Sequence, residues 1–505
     1  MFIDGRSLST NDLPAVDIAI VGAGAAGITL ARALAGSGAK IALIESGGLD
    51  WAEDAQDLAA GDLGEQTYGA LDAVRLRQFG GTTGHWGGWC RELDAIDFEA
   101  RDHIPFSGWP IAKTDLDPYY VEAQDILHLG TARYHDSEGV AAENKVTLPV
   151  ARDAAVEPVL FEFSPPIRMG EVYRDELGNG PVAVYLNTTV ADIRVSDDRR
   201  SVTTLRLARD GGSPVALAAR HVVIACGGLS NAQILLQSDQ QMAGGVGNAN
   251  DQVGRYFAEH PILIGYAAIL SLGDAAGGPF AFADIGASGR RYRLAFQPSE
   301  ATRRRESRLS TLITIEPPGP TFDPATGLFD RADARWFGPP ETIQAIAQLQ
   351  AKGKARIHML NAGLETRPNP DSRVLLSADR DRFGLRRIKL DWRLTDKDLE
   401  DYLANLADFA KGLAKAGTAV LRIAPDARER FPGETSWGNH HMGTTRMGTD
   451  PTVSVCDRDC RVHGLANLWI AGSSVYPTPG AANPTLTLVA LALRLADRLK
   501  AELAA

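Results

Sequence analysis

Two apolar runs near the N-terminus are separated by a glycine-rich turn and a helical segment. Ile18 to Val21 form a short continuous apolar run, which is typical of a strand buried in a parallel sheet. The alanine and leucine residues that continue to Leu34 have helical spacing, and a second apolar run ends at Glu45. The pattern therefore predicts a strand, a tight turn, a helix and a second strand, in that order.

Gly22, Gly24 and Gly27 supply the turn with the spacing G-x-G-x-x-G. The first glycine permits the tight turn, the second leaves room for a pyrophosphate beside the backbone, and the third lets the helix pack closely on the strand. Phosphates then lie over the helix N-terminus, beside Ala25 and Ala26. This arrangement is typical of a dinucleotide site.

Glu45 lies near the offset from this turn at which a carboxylate accepts hydrogen bonds from a ribose diol, and Ser46 follows it. Strand, turn, helix, second strand and terminal acid are all present, which favours a dinucleotide site over an accidental glycine turn. The motif alone leaves FAD and NAD(P) as alternatives.

Four later stretches also have a clear pattern. His221 to Leu236 combine an apolar run, a second glycine turn and a helix, and Asp398 to Ala414 have the periodicity of a packed helix. Asn483-Pro484 fit the N-cap and first residue of a C-terminal helix. The stretch from Gly273 to Gly289, rich in Gly and Ala, predicts either a mobile loop over a substrate site or a surface insertion.

Length, composition and charge narrow the function classes. A chain of 505 residues predicts at least two domains, or one domain with large insertions, and 44% hydrophobic with 23% charged residues is typical of soluble globular proteins. The formal charge of -11 argues against a nucleic acid or an anionic membrane surface as a partner. Arg303-Arg304-Arg305 is interpreted as a solvated helix face. Without a membrane-spanning run or a signal sequence at Met1 to Arg6, we expect a cytoplasmic protein.

The cysteines form neither a disulfide pattern nor a metal-binding one. Cys90, Cys226, Cys456 and Cys460 are too few for a disulfide framework in a chain of this length. Cys456 and Cys460 have no second Cys or His pair at zinc-finger spacing, since His463 stands alone beyond them. We therefore expect no metal.

Residues 80 to 90 form a loop with five glycines, two tryptophans and one histidine. Such a loop lets the backbone lie against a flat ligand, with His85, Trp86 or Trp89 beside it. A flexible surface loop is the alternative, but flexible linkers seldom carry two tryptophans.

These motifs resemble those of the glucose-methanol-choline (GMC) flavoprotein oxidoreductases. Besides the N-terminal turn, the resemblance is carried by Gly80-Gly-Thr-Thr-Gly-His-Trp86, Gly108-Trp-Pro-Ile111, Leu186-Asn-Thr-Thr-Val190, Asn439-His-His-Met-Gly-Thr-Thr-Arg-Met-Gly448, Leu468-Trp-Ile-Ala-Gly-Ser-Ser474 and Ala482-Asn-Pro-Thr-Leu-Thr487. It implies FAD as the cofactor and the oxidation of an alcohol to a carbonyl.

The resemblance also implies roles for particular residues. In the family, the histidine three residues before Gly-Thr lies over the flavin ring, which here is His440, and the second active-site position is Asn483. Gly472 and Ser473 correspond to the approach to the flavin phosphate and ribitol, although the family often has Asp near this place. The other implied FAD contacts are Gly81, Thr82, His85, Trp86, Gly87, Gly88, Val190 through its backbone, Ala225, Gly227 and Thr485.

His440 and Asn483 suit alcohol oxidation. An imidazole with a pKa of about 6.5 can accept the hydroxyl proton at neutral pH, and an amide can hydrogen-bond the oxygen as charge builds there. His441 is a rival base, but the register to Gly443-Thr444 favours His440, with His441 as a hydrogen-bonded partner that faces away. In the similar pyranose oxidases a histidine in the register of His85 carries a covalent bond to the flavin, whereas other members bind FAD without one.

The predicted fold class is α/β, with a Rossmann-like FAD-binding domain and a discontinuous antiparallel-sheet substrate domain of α+β type. We assign residues 1–102, 183–262 and 434–505 to the FAD-binding domain, and residues 103–182 and 263–433 to the substrate-binding domain. His440 and Asn483 are expected to line the cavity between the two domains.

The favoured function is oxidation of an alcohol, on a secondary hydroxyl of a sugar or glycoside, by hydride transfer to flavin N5 with His440 as the base. The electron acceptor, whether oxygen, a quinone or a partner protein, is left open. The alternatives are the catalytic subunit of a cytochrome-linked sugar or polyol dehydrogenase, a GMC-fold enzyme with lyase or decarboxylase chemistry, an NAD(P)-linked dehydrogenase, and a protein that binds flavin only structurally.

Overall fold

The apolar segments that flank the glycine turn lie in a mainly parallel sheet. The computed structural model describes residues 1–165, 167–273, 285–287, 289–318, 322–329 and 332–504. In spatial order the sheet contains Phe2–Asp4, Ala183–Leu186, Ile41–Ile44, Val16–Val21, Val215–Ile224, Val202–Ala208 and Thr189–Val195, with Leu468–Ile470 also paired to Val215–Ile224. The last two strands of that order pair antiparallel, and the others pair parallel.

Helices cover this sheet because its strands are apolar on both faces. Ile18 and Ile20 pack in a core with the helices Ala25–Leu34 and Thr485–Ala504, and Ala19 contributes to the core on the opposite face. The helix Gly227–Gln237 follows the strand that ends at Ile224, as the second glycine turn predicts. The expected α/β fold with a Rossmann-like unit is confirmed.

The second sheet is antiparallel. Its order is Ala419–Ile423, Pro261–Leu272, Ala355–Leu364, Thr311–Pro318, Arg290–Pro298, Val156–Phe163 and Trp89–Cys90, with Ile285–Ala287 and Ser436–Trp437 attached at its sides. One face packs on the helix Asp396–Ala416, whose Phe409 contacts Phe296 at 4.9 Å between ring centroids. That helix is two residues longer at each end than its predicted span.

The remaining elements are short. A three-stranded sheet contains Arg373–Arg380, Arg386–Asp391 and Gly61–Leu63, and a two-stranded sheet pairs Leu328–Phe329 with Ala332–Asp333. The other α-helices of the described ranges are Glu53–Asp57, Ala95–Phe98, Asp117–Ile126, Ser137–Glu143, Met169–Val172, Arg174–Asn179, Glu300–Glu306, Pro340–Ala351 and Ala427–Arg430. None of the helices described has the length and apolar character that a membrane span needs.

Most of the stretch from Gly273 to Gly289, predicted as a lid or an insertion, lies outside the described residues. The assignment of residue ranges to two domains stays a prediction. Two short strands from the ranges assigned to the FAD-binding domain, Trp89–Cys90 and Ser436–Trp437, pair with the antiparallel sheet.

The arginine run at 303 to 305 does not form a wholly solvated face, so that interpretation is wrong at Arg303. Its side chain is only 2% exposed and forms ion pairs with Asp94 at 2.8 Å and with Asp97 at 3.2 Å. Arg304, by contrast, is 46% exposed and pairs with surface glutamates. The acidic partners of Arg303 lie about two hundred residues earlier in the chain, where no local pattern connects them to it.

A second buried ion pair, between Arg101 and Glu365, leads to a stability prediction. The two side chains are 4% and 0% exposed, and Arg101 Nη2 lies 2.5 Å from Glu365 Oε1. Arg101→Met leaves the carboxylate buried without its cation, so we expect the free energy of unfolding to fall by about 3–5 kcal/mol. Scanning calorimetry measures the loss as a lower Tm.

Arg304→Met is the matched control, because it removes an arginine whose ion pairs are exposed. We expect it to change the free energy of unfolding by less than about 1 kcal/mol. Equal Tm losses for the two variants would contradict the role assigned to the buried pair.

Candidate active site

The structure contains a cavity of about 720 Å³. Residues of both sheets, the glycine turns and the C-terminal loop line it. The predicted site residues that line it are Gly22, Gly24, Ala25, Ala26, Glu45, Ser46, Gly81, Thr82, His85, Trp86, Gly87, Gly88, Val190, Ala225, Gly227, His440, Gly472, Ser473, Asn483 and Thr485.

Gly27 is the one predicted residue that lies away from the cavity wall. A Cβ at this position would lie 1.8 Å from the carbonyl oxygen of Gly22, so only glycine lets the helix approach the strand this closely. This is the packing role that the motif assigns to the third glycine.

The nucleotide end of the cavity fits a pyrophosphate. A Cβ on Gly24, Gly227 or Gly472 would meet no described atom within 4 Å, so the backbone at these three positions borders open space. The helices that begin at Ala25 and Gly227 have no side-chain cap, and their first N–H groups are available to an anion. The residues present therefore fit the diphosphate of FAD.

Glu45 is buried at the end of its strand. Its two carboxylate oxygens accept hydrogen bonds from the backbone N–H groups of Ala23 and Gly47, each at 2.9 Å. Burial raises the pKa of this carboxyl group. Each oxygen keeps a second acceptor position, so the predicted contact with a ribose diol fits this geometry.

Arg77 is a candidate cofactor contact that the sequence pattern does not mark. Its side chain lines the cavity, and Nη1 donates to the hydroxyl of Ser46 at 3.2 Å. Nε is buried and has no hydrogen-bond partner within the described ranges. A buried guanidinium with an open donor suits a phosphate oxygen.

The candidate catalytic pair is brought together at the other end of the cavity. Asn483 Nδ2 lies 3.2 Å from His440 Nε2, although the two residues come from different segments. On its other side, His440 Nδ1 lies 2.9 Å from Nδ1 of His260. The second nitrogen of His260, Nε2, lies 2.9 Å from the carbonyl oxygen of Gly480.

These contacts fix the tautomers of both histidines. Because a carbonyl oxygen can only accept, His260 Nε2 carries its proton and donates to Gly480. The other nitrogen of His260 is then an acceptor, so His440 Nδ1 must donate to it. The lone pair of His440 is thereby placed on Nε2, the atom next to Asn483 and the cavity.

Burial keeps both rings neutral. It lowers the pKa of His260 to about 4. Burial, followed by the neighbouring His260 and His441, lowers the pKa of His440 well below its ordinary value. At neutral pH the imidazole of His440 is therefore ready to accept a proton at Nε2.

The carboxylate of Glu259 positions both histidines through the backbone. It accepts hydrogen bonds from the N–H of His260 at 2.7 Å and from the N–H of His440 at 2.8 Å. Tyr68 donates its hydroxyl to the other oxygen of Glu259 at 2.5 Å. Burial raises the pKa of Glu259 to about 7.

His441 faces a different partner. Its Nε2 lies 3.0 Å from the Tyr68 hydroxyl, and Ser473 donates to its carbonyl oxygen at 2.7 Å. Since the Tyr68 proton goes to Glu259, Nε2 of His441 donates to the Tyr68 oxygen. Of the two adjacent histidines, His440 alone contacts Asn483.

The glycine-rich loop at 80 to 90 is anchored beside the cavity. Trp86 Nε1 donates to the carbonyl oxygen of Ile167 at 2.8 Å, which holds the indole in place. His85 lines the cavity, and partial desolvation of its ring, followed by the nearby charge of Arg168, lowers its pKa. Covalent and non-covalent binding of flavin at His85 both stay open.

His260, Glu259 and Tyr68 are site residues to which the sequence assigns no role. The stretch Glu259-His260-Pro261 resembles the corresponding stretch in GMC oxidoreductases. Nothing in its spacing indicates contact with residues about 180 positions away. Over the part of the chain that the structure describes, no group of three His, Cys, Asp or Glu side chains could hold a metal ion. The four cysteines are free thiols.

Two known protein families match parts of this chain. The family description "FAD dependent oxidoreductase" matches residues 17–249, and "GMC oxidoreductase" matches residues 368–492. The chain is 26% identical to the 6'''-hydroxyparomomycin C oxidase of Streptomyces lividus, over 97% of this chain and 92% of that protein. It is 39% identical to the C-glycoside 3-oxidase of Arthrobacter globiformis, over 24% of this chain and 23% of that protein.

A solved structure shares the fold. The crystal structure of pyridoxine 4-oxidase from Mesorbium loti matches with a TM-score of 0.59 and 16% identity, over 95% of this chain and 98% of that chain. At this level of identity, the likeness concerns the fold alone.

The open space beside Gly24 leads to a prediction about FAD binding. Gly24 has extended backbone angles that valine adopts readily, and a Cβ there meets nothing within 4 Å. We therefore expect Gly24→Val to fold with an unchanged Tm but to fill the space that the pyrophosphate needs. FAD at one hundred times its Kd stabilises the wild type by about 2.7 kcal/mol, which raises its Tm. The variant should not show this FAD-dependent rise in Tm.

Gly36→Val is the control, since a Cβ at Gly36 also meets no atom within 4 Å but lies in an exposed turn outside the cavity. It should keep both the flavin absorption spectrum and the FAD-dependent Tm shift. Retention of that shift in Gly24→Val would contradict the placement of the pyrophosphate.

Proposed function

Since this chain belongs to the GMC family of FAD-dependent oxidoreductases, we propose that it oxidises a secondary hydroxyl of a sugar or glycoside to a carbonyl, with His440 as the base. The FAD cofactor and the oxidoreductase class predicted from the sequence are confirmed. The observation that carries the proposal is the pairing of His440 Nε2 with Asn483 at 3.2 Å on the cavity wall.

In the proposed reaction, His440 and Asn483 have different roles towards the alcohol. A substrate hydroxyl that enters between them would donate its proton to the lone pair on His440 Nε2, while the amide of Asn483 donates to the same oxygen. When His440 becomes an imidazolium, its Nδ1 proton is already bonded to His260, which stabilises the positive charge. Bound FAD supplies the acceptor for the hydride that leaves the same carbon.

Two observations support a carbohydrate as the substrate. The relatives with which the chain is compared are named as oxidases of 6'''-hydroxyparomomycin C and of C-glycosides. The cavity wall also combines apolar Phe161 and Leu312 with polar Thr314 and Asn361. A sugar ring has apolar C–H faces and a polar hydroxyl rim, which suits such a mixed wall.

The pair of His440 and Asn483 also favours alcohol oxidation over lyase chemistry on this fold. A base with an adjacent amide donor meets the need to remove a proton from a hydroxyl and to hold its oxygen. The electron acceptor is a separate question, to be decided by comparing oxygen, a quinone and cytochrome c as oxidants of the reduced enzyme.

The test of the proposal is anaerobic reduction of the bound flavin, followed by absorbance, with a panel of sugars, glycosides and simple alcohols. We expect a sugar or glycoside to bleach the wild-type flavin. His440→Gln should retain FAD but reduce the bleaching rate by about 10²–10⁴-fold, since it removes the general base. His128→Gln is the control, because His128 is exposed and outside the cavity.

Bleaching by none of the carbohydrates would remove the proposed substrate class. An unchanged rate in His440→Gln would remove His440 from the role of base, whichever alcohol reduces the wild type.

The pH dependence of flavin reduction tests the state of His440. The active form is the neutral imidazole, and burial lowers its pKa well below the usual value of about 6.5. The active form therefore persists as the pH falls, and we expect a constant reduction rate from pH 8 to about pH 6. Stopped-flow absorbance across this range measures it.

A loss of rate centred near pH 6.5 to 7 would come from protonation of either Glu259 or His440, and one variant separates these two sources. Glu259→Gln keeps a carbonyl oxygen for the N–H groups of His260 and His440 but cannot titrate. If the loss disappears in this variant, Glu259 is its source. If it persists, His440 has an ordinary pKa and the expectation is contradicted.

A further inference from the structure

The cavity wall formed by the antiparallel sheet changes character along one strand. In Thr311–Pro318, the side chains of Leu312, Thr314 and Glu316 line the cavity, whereas Ile313 packs in the core on the opposite face. This follows from the alternation of side chains along a strand. From one end to the other, the wall is therefore apolar, then polar, then charged.

The apolar end of this wall lies next to the catalytic pair. Leu312 packs in a small cluster with Phe161 and Ala481, and Ala481 lies two residues before Asn483. Glu316 lies four residues after Leu312 on the same strand, which corresponds to about 13 Å. That distance is longer than a single sugar ring, so a ring that contacts Leu312 does not reach Glu316.

The charged end is a cluster that we call the polar wall, formed by Trp89, Arg293, Thr314, Glu316 and Asn361. Arg293 Nη1 lies 3.5 Å from Glu316 Oε1, and its guanidinium lies 4.8 Å from the centroid of the Trp89 ring. Asn361 is directly opposite Thr314 on the neighbouring strand. Its side-chain oxygen is buried and accepts no hydrogen bond from any described residue.

The polar wall offers groups that match uncharged hydroxyls. Arg293 donates, Glu316 accepts, and the open amide oxygen of Asn361 gains a partner when a ligand donates to it. Because the two opposite charges lie side by side, a cationic ligand would be repelled by Arg293 and an anionic ligand by Glu316. The pair therefore favours neither sign of charge. Trp89 adds a flat apolar surface for the C–H face of a ring.

We propose that the polar wall is a binding subsite for a second, neutral sugar ring, so that the substrate is a glycoside of at least two rings. The inference rests on the proposed function, because it assumes that the first ring reacts between His440 and Asn483. The second ring would be held through its hydroxyls by Glu316 and Asn361.

The test compares KM values of the FAD-loaded enzyme for cellobiose, with two neutral rings, and methyl β-D-glucoside, with one. We expect Glu316→Gln and Asn361→Leu each to raise the KM for cellobiose by at least about tenfold, as for the loss of a hydrogen bond to a charged or buried partner. The KM for methyl β-D-glucoside should change less than about twofold in Glu316→Gln, since a ring in contact with Leu312 does not reach Glu316. Glu341→Gln, the same chemical change on an exposed helix, should change neither value.

Equal KM changes for the one-ring and two-ring substrates would overturn the subsite, since they would place the wall around the reacting ring. A wild-type preference for the cationic glucosamine disaccharide over cellobiose would overturn the neutral class. Calorimetric titration of cellobiose into the FAD-loaded enzyme separates the two proposals. If no sugar reduces the flavin, the proposed function fails. The subsite is still supported in that case if cellobiose binds and Glu316→Gln weakens the binding. It is overturned if cellobiose does not bind.

Discussion

The carboxylate of Glu259 determines the geometry of the active site, because it binds the backbone of both histidines. Its oxygens accept the N–H groups of His260 and His440, which come from segments 180 residues apart, and the hydroxyl of Tyr68 holds it from the other side. A buried carboxylate with fewer donors would be costly, so the three donors also account for its burial. The contact between the two imidazoles depends on this one anchored group.

The antiparallel sheet serves the fold and the site with the same strands. Residues such as Ile313 fill the core against the helix Asp396–Ala416, while the residues between them form the cavity wall. Because the period of a strand is two, a shift of register by one residue would exchange these sets and place Glu316 in the core. Selection for packing on one face thus also fixes the order of apolar and polar groups on the other.

The parts of the structure that could be predicted from the sequence are those that depend on local spacing. The glycine turn and its helix follow from residues within one short stretch, and His440 with Asn483 follow from the register of a family motif. The role of His260 and the burial of Arg303 could not be predicted, because their partners lie far away in the chain. The order of the antiparallel strands likewise depends on long-range pairing that composition does not specify.

The carbonyl of Gly480 gives the hydrogen-bonded chain of histidines a closed end. A proton taken up by His440 can pass to His260, but it can go no further, since a backbone carbonyl accepts a hydrogen bond without accepting the proton. The two imidazoles can therefore hold a proton that leaves only from His440, on the side of the cavity. In the proposed reaction, each cycle would return this proton through the cavity side, so the reset of the base would depend on the exchange of product for the oxidant that restores the cofactor.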